Sequence, residues 1–177
     1  MGGKTSKIVR RKRQLEEPKT TGRFEVRAMG NGFHTDCRVE NSDFELVVAE
    51  PAEKGGSGKG PNPMQYLVVS LTSCHQETAA VIAKEKGIKK WGPVTFHTKF
   101  ELNTDGFLGL AKKSLPAYNV FRHVLLDAEV VADVDQSIID EVYEGVKSRC
   151  PIRALFESAG VIIEGEWRKN VDIMENS

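Results

Sequence analysis

Apolar and polar residues first alternate along this chain, and then change period. Over "RFEVRAM", Phe24, Val26 and Ala28 alternate with Arg23, Glu25 and Arg27, the pattern of a half-buried strand. "GNG" at 30–32 supplies positive-φ residues for a hairpin turn. Residues 33–39 then read as the return strand and 44–50 as a third, a short antiparallel meander. "PAEKGGSGKG" at 51–60 is a flexible loop without the spacing of a phosphate loop. The period then becomes helical. Asn62 is an N-cap, Pro63 takes the first helical position, and Gln65 stands where a capping box wants Glu or Gln. This helix is predicted to run to Gly87, roughly 36 Å. It is apolar nearly all round from Met64 to Leu71, as in a buried helix.

Alternation returns at 94–102. Residues 103–119 hold a turn and an ambiguous segment interrupted by Pro116, and 120–132 read as a long strand. Asp135 or Ser137 caps a helix with Ile138, Ile139, Val142 and Val146 at helical spacing, stopping near Arg149. Pro151 opens another helix that ends at Gly160, and 161–167 is a final strand. Three strands, a long helix, two strands, two helices and a strand predict an α+β fold, a largely antiparallel sheet with helices on one face. Residues 1–22 differ from the rest. They are a basic run diluted by Glu16 and Glu17, a flexible arm before a single domain at 23–177.

The 177 residues carry 25 basic and 25 acidic side chains, so no overall field steers the protein to nucleic acid. No apolar run reaches the ~18 residues that would span a membrane. The basic N-terminus lacks the apolar core of a secretory signal, and the expected location is the cytoplasm. Three cysteines, Cys37, Cys74 and Cys150, are too few for a secreted disulfide framework. A lone cysteine is most often a small buried hydrophobe. Cys74 fits that description, on a helix stripe of Leu67, Leu71, Cys74, Thr78 and Val81. Cys150 differs because it directly precedes Pro151. It is placed as the N-cap of the last helix, between Arg149 and Arg153, where free N–H groups and nearby positive charge favour a thiolate. The histidines lack ligand spacing, and no metal is expected. A Cys–His nucleophile with His97 or His123 as base has no third member.

Two segments together resemble a known family. A helix opened by "GPNP" that carries "SC" two to three turns on, and later "CP" opening a helix, are similar to the OsmC/Ohr proteins, the osmotically inducible and organic hydroperoxide resistance proteins. The resemblance spans roughly residues 23–167. It implies an intertwined homodimer that needs no cofactor and reduces organic hydroperoxides with a cysteine pair. Carried over, Cys74 is the thiolate that attacks the peroxide, Cys150 resolves it as a disulfide, and a lipoyl-type dithiol restores both. The family pairs a Glu at the start of the long helix with an Arg from the N-terminal strands that contacts the thiolate. Here Met64 and Gln65 occupy the Glu positions, in the expected substrate pocket. Arg38 is the first choice for the Arg and Arg27 the second. Cys37 has no family role. The missing Glu leaves a second reading: a protein of the same fold that binds a small ligand or senses redox state, with little peroxidase activity.

Overall fold

The computed structural model describes residues 22–105 and 121–170. The early alternation builds an antiparallel sheet of β1 (Val26–Asn31), β2 (His34–Val39) and β3 (Glu45–Ala49), in the order β1-β2-β3. Its register places Val26 opposite Val39, and Ala28 opposite Cys37, which in turn faces Leu46. Residues directly opposite one another share a face. One face is therefore apolar, with Val26, Ala28, Cys37, Val39, Leu46 and Val48. The other carries the charged Arg27, Asp36, Arg38 and Glu45 together with Met29, Val47 and Ala49.

The loop after β3 folds back under close constraint. A Cβ on Gly60 would lie 2.0 Å from the Val47 carbonyl oxygen, so only glycine lets the chain pass. Helix α1 (Pro63–Glu85) then starts with the predicted capping box. Asn62 Oδ1 accepts from the Gln65 N–H and Gln65 Oε1 accepts from the Asn62 N–H, each at 2.9 Å. It ends two residues before Gly87, which takes a positive φ of 73° while Ile88 N–H closes onto the Ala83 carbonyl at 3.0 Å. Tyr66 Oη donates to the Val47 carbonyl at 3.1 Å and ties α1 to the first sheet.

The second half forms a separate sheet. β4 (Trp91–Leu102) pairs antiparallel with β5 (Phe121–Ala132), and β6 (Ile162–Glu164) and β7 (Trp167–Lys169) both pair parallel with β5. The fold is α+β, but with two sheets and a parallel edge. The parallel pairing follows from α2 (Gln136–Arg149) and α3 (Pro151–Ser158), which form a crossover between β5 and β6. The single final strand expected at 161–167 is broken at Gly165. There φ is 151° and a Cβ would lie 1.9 Å from the Leu126 carbonyl oxygen. The ladder is interrupted here without a change of register, Glu164 pairing with Leu125 and Trp167 with Ala128, and Glu166 N–H donates to Asp127 Oδ1 at 3.0 Å.

Helices α1, α2 and α3 cover one face of this second sheet. Val124, Leu126, Ala128 and Val130 of β5 are buried against Leu71, Ala79 and Ile82 of α1 and Ile139, Val142 and Val146 of α2. Trp167 stacks on Tyr143 at 5.0 Å and meets Phe96 edge-on at 5.6 Å. Residues 1–21 of the expected arm and 106–119 of the ambiguous segment lie outside the described residues.

Candidate redox site

The stripe that α1 buries differs from the one expected. Val68, Leu71, His75, Ala79 and Ile82 face the core, Val81 is half exposed, and Cys74 sits at the stripe's edge, partly buried. Steps of four residues from Leu71 run through His75 to Ala79. A histidine in that line is easily passed over in favour of the cysteine beside it.

Cys150 is where the sequence placed it. It ends α2, its N–H donating to the Val146 carbonyl at 2.9 Å, and it caps α3, its Sγ accepting from the Arg153 N–H at 3.4 Å. Pro151 lacks an N–H and fits the first position of α3 without loss. The junction buries Cys150 to 1 % exposure, in the core cluster against which Cys74 packs, and the neighbouring Cys74 thiol raises its pKa. Two of the three cysteines, 76 positions apart, thus meet as free thiols. Cys37 lies on the first sheet's apolar face, opposite in facing to Arg38, as strand alternation requires.

The expected thiolate at Cys150 is not found. Burial pushes this thiol up to about 11, the adjacent Cys74 adds to the rise, and the Arg153 and Ile152 N–H groups only partly offset it. The flanking arginines do not act as expected either. Arg149 turns outward to a bidentate pair with Glu85, at 2.5 and 2.9 Å. Arg153 is buried, and its guanidinium is held by Glu157 at 2.7 Å and the Ile163 carbonyl at 3.0 Å.

His75 is the residue that sequence reasoning missed. It is fully buried, with Nδ1 2.9 Å from the Leu71 carbonyl oxygen and 3.8 Å from Cys150 Sγ. Burial holds its imidazole below the ordinary value, and the Arg153 charge acts the same way against the Leu71 hydrogen bond. His97 is exposed, and His123 pairs with Glu164 at 2.9 Å.

Gln65 is exposed and its side chain is engaged with the Asn62 backbone, while Met64 beside it is half-buried. Neither lines the cleft of about 910 Å³ beside β6 and β7, which is bordered by His97, Asp127, Lys147, Arg153 and Glu166. Arg38 stands exposed on the polar face of the first sheet, opposite Arg27 and Glu45, and Arg27 pairs with Glu40 at 2.6 Å. Among the described helices and strands, β1, β2 and β3 pack mainly on one another, with α1 tied to them through Tyr66. A second polar chain pins the glycine-rich loop to β2: His34 Nδ1 lies 2.7 Å from Ser57 Oγ, and His34 Nε2 lies 3.0 Å from Asp36 Oδ1. No helix among the described residues is long and apolar enough to cross a membrane.

Comparison with solved structures finds this architecture repeatedly. An OsmC-like protein from Mycoplasma pneumoniae superposes with a TM-score of 0.69 at 18% identity, over 85% of this chain and 99% of that one. An organic hydroperoxide resistance protein from Legionella pneumophila gives 0.64 at 17%, over 85% and 99%. One from Elizabethkingia anophelis, with thiocyanate bound, gives 0.65 at 19%, over 86% and 100%. At these identities the likeness establishes the fold. No curated protein matches the sequence. The family model for OsmC-like protein matches residues 56–165, from the glycine-rich loop to the break between β6 and β7. By that match and its fold, the chain belongs to the OsmC-like protein family, which includes organic hydroperoxide resistance proteins.

Proposed function

We propose that this protein is a cytoplasmic, thiol-dependent peroxidase that reduces organic hydroperoxides through Cys74 and Cys150. The observation that carries the reading is that these two thiols, from separate elements, pack at one buried cluster, where Cys74 bears on the ionisation of Cys150. In the proposed cycle the Cys74 thiolate attacks the O–O bond of the hydroperoxide. The distal oxygen passes to sulfur as a sulfenic acid, and the alkoxide leaves as alcohol after taking up a proton. Cys150 then attacks the sulfenic sulfur, the disulfide forms and water departs. A dithiol of lipoyl type reduces the disulfide by two exchanges and is itself oxidised. The working unit is a homodimer of one domain from residue 23 onward, behind a basic arm.

In this reading Arg38 supports the Cys74 thiolate, with Arg27 as the alternative. Both stand on the polar face of the first sheet, so either serves only if that face meets the site of a partner chain. Arg38→Ala decides the point. A charge-assisted hydrogen bond is worth ~1.5–3 kcal/mol, so its loss slows thiol oxidation roughly tenfold or more. An unchanged rate removes Arg38 from the site.

One observation favours a second reading, a ligand-binding or redox-sensing protein with little peroxidase activity. By the resemblance, Met64 and Gln65 stand where the family's carboxylate is expected, and the Gln65 side chain is engaged in capping α1. An arginine at the thiolate would therefore lack its charged partner. The two readings separate when reduced protein is mixed with cumene hydroperoxide and its free thiols are counted. Loss of two thiols per chain, abolished by Cys74→Ser, supports the peroxidase. No loss, or a loss indifferent to that substitution, rejects it.

A further inference from the structure

Among the buried polar groups that the thiol pair leaves without a role, the imidazole of His75 is the one that touches Cys150. We propose that His75 is a positioning residue for Cys150, its Nδ1–H donating to Sγ once that thiol ionises. The inference rests on Cys74 and Cys150 acting as a redox pair, and it supplies what that pair lacks, a stabiliser for the second thiolate.

The tautomer follows from the contacts. Nδ1 lies 2.9 Å from the Leu71 carbonyl oxygen, which can only accept, so Nδ1 carries the proton. Nε2 is then a bare acceptor, and no hydrogen bond reaches it in its buried position. The charged groups around the ring favour the neutral form. Arg153 bears on it from α3, and Glu157, which opposes Arg153, is bonded to that same guanidinium. His75 therefore cannot take the Cys150 proton at Nδ1, because that site is filled. What it can do is share its Nδ1–H between the Leu71 carbonyl and Cys150 Sγ, now 3.8 Å away. An anionic sulfur draws such a donor closer than a neutral thiol does. With the Arg153 N–H at 3.4 Å on the same sulfur, two fixed donors converge on it from α1 and α3.

The need arises in the second half-reaction. Cys150 must lose its proton before it can attack Cys74, and its surroundings favour the neutral thiol. When the thiolate attacks the sulfenic sulfur, an S–S bond forms and the S–O bond breaks. Hydroxide leaves and takes up the proton that Cys150 released. A donor at Nδ1 raises the small thiolate fraction available for that step and aims the sulfur toward Cys74.

The test needs no peroxide. In a Cys37→Ser background, the aryl disulfide dithionitrobenzoate is attacked by Cys74, releasing one thionitrobenzoate. Cys150 then displaces the second and closes the disulfide. The rate of this second release should climb with pH between about 7 and 9, following the thiolate fraction. His75→Leu should slow it roughly tenfold at each pH, the effect of losing a hydrogen bond to a charged group. His75→Asn, which keeps an N–H near the Nδ1 position, should recover most of the rate. A second release indifferent to His75→Leu overturns the role of His75 and leaves the pair intact. Absence of any second release in the parent overturns the pair and this inference together. A His75-dependent second release in a protein inert to hydroperoxide rejects only the peroxidase reading. The ring nitrogen NMR shifts of the reduced, unsubstituted protein give a check that depends on no variant's folding. They should report an Nδ1–H tautomer near neutral pH, and an Nε2–H tautomer overturns the inference.

Discussion

Cys150 and His75 are buried side by side, and each is held in its neutral form by burial. Opposite pH dependences of stability follow. The Cys150 thiol ionises near its ordinary 9.0 in the unfolded chain but near 11 in the fold. Above about pH 9 the unfolded state therefore loses protons that the native state keeps, and stability falls through the window from 9 to 11. Unfolding midpoints measured across that range should decline in the natural chain and decline less in Cys150→Ala. The imidazole titrates near 6.5 when unfolded and lower when folded. Its contribution is full above 6.5 and is lost as pH falls through the lower folded value, because the unfolded state gains protons first. His75→Asn should flatten this acid limb while leaving the alkaline one. Of the two residues, only Cys150 was legible in the sequence, because "CP" before a helical pattern states its geometry outright. Its ionisation was not legible. The N-cap position argues for a thiolate, and only the tertiary packing reveals the burial that outweighs it.

The elements were legible where local chemistry decides them. Asn62, Pro63 and Gln65 specify the start of α1, and Gly87 specifies its end, from contacts within a few residues. Asn62→Ala should cost about 1 kcal/mol of stability, as N-cap losses do, measured by denaturant unfolding. The end of the chain was not legible in the same way. "VIIEGEW" reads as one strand, but Gly165 must pass within contact of the Leu126 carbonyl, a residue some forty positions away. No local pattern encodes that approach. Gly165→Ala would need both a left-handed φ and space that the Leu126 backbone occupies. It should destabilise by well over ~1 kcal/mol, more than a glycine substitution costs through chain entropy alone. The parallel pairing of β6 and β7 is of the same kind. It follows from the crossover through α2 and α3, which becomes evident only when the three elements are placed together.

At the scale of the whole molecule, the two sheets are unequal. The second buries one face under three helices, whereas among the described residues the first leaves its apolar face partly exposed. Val26 is 56 % and Leu46 41 % exposed there, and Phe24 and Phe44 at the strand margins are exposed more fully. A contiguous apolar face of this kind is seldom left to water in a stable monomer. The sequence announced it as ordinary half-buried alternation, and alternation does not say which molecule does the burying. A second copy of the chain is the proposed cover, in keeping with the homodimer proposed above. Leu46→Glu places a charge on that face, on β3 opposite Cys37 of the central strand. If the face is the dimer contact, light scattering should show the natural chain at twice the monomer mass and Leu46→Glu at the monomer mass, with a lower thermal midpoint. If the mass is that of one chain for both proteins, the apolar face needs another partner. The expectation that a first-sheet arginine reaches a partner's thiols then fails with it. Docking by the apolar face bears on Arg38, which points from the opposite face: it reaches a partner's thiols only where the dimer encloses that second face as well. Dimer loss in Leu46→Glu together with full thiol reactivity in Arg38→Ala would therefore assign the sheet to assembly and leave the thiol chemistry to Cys74, Cys150 and His75.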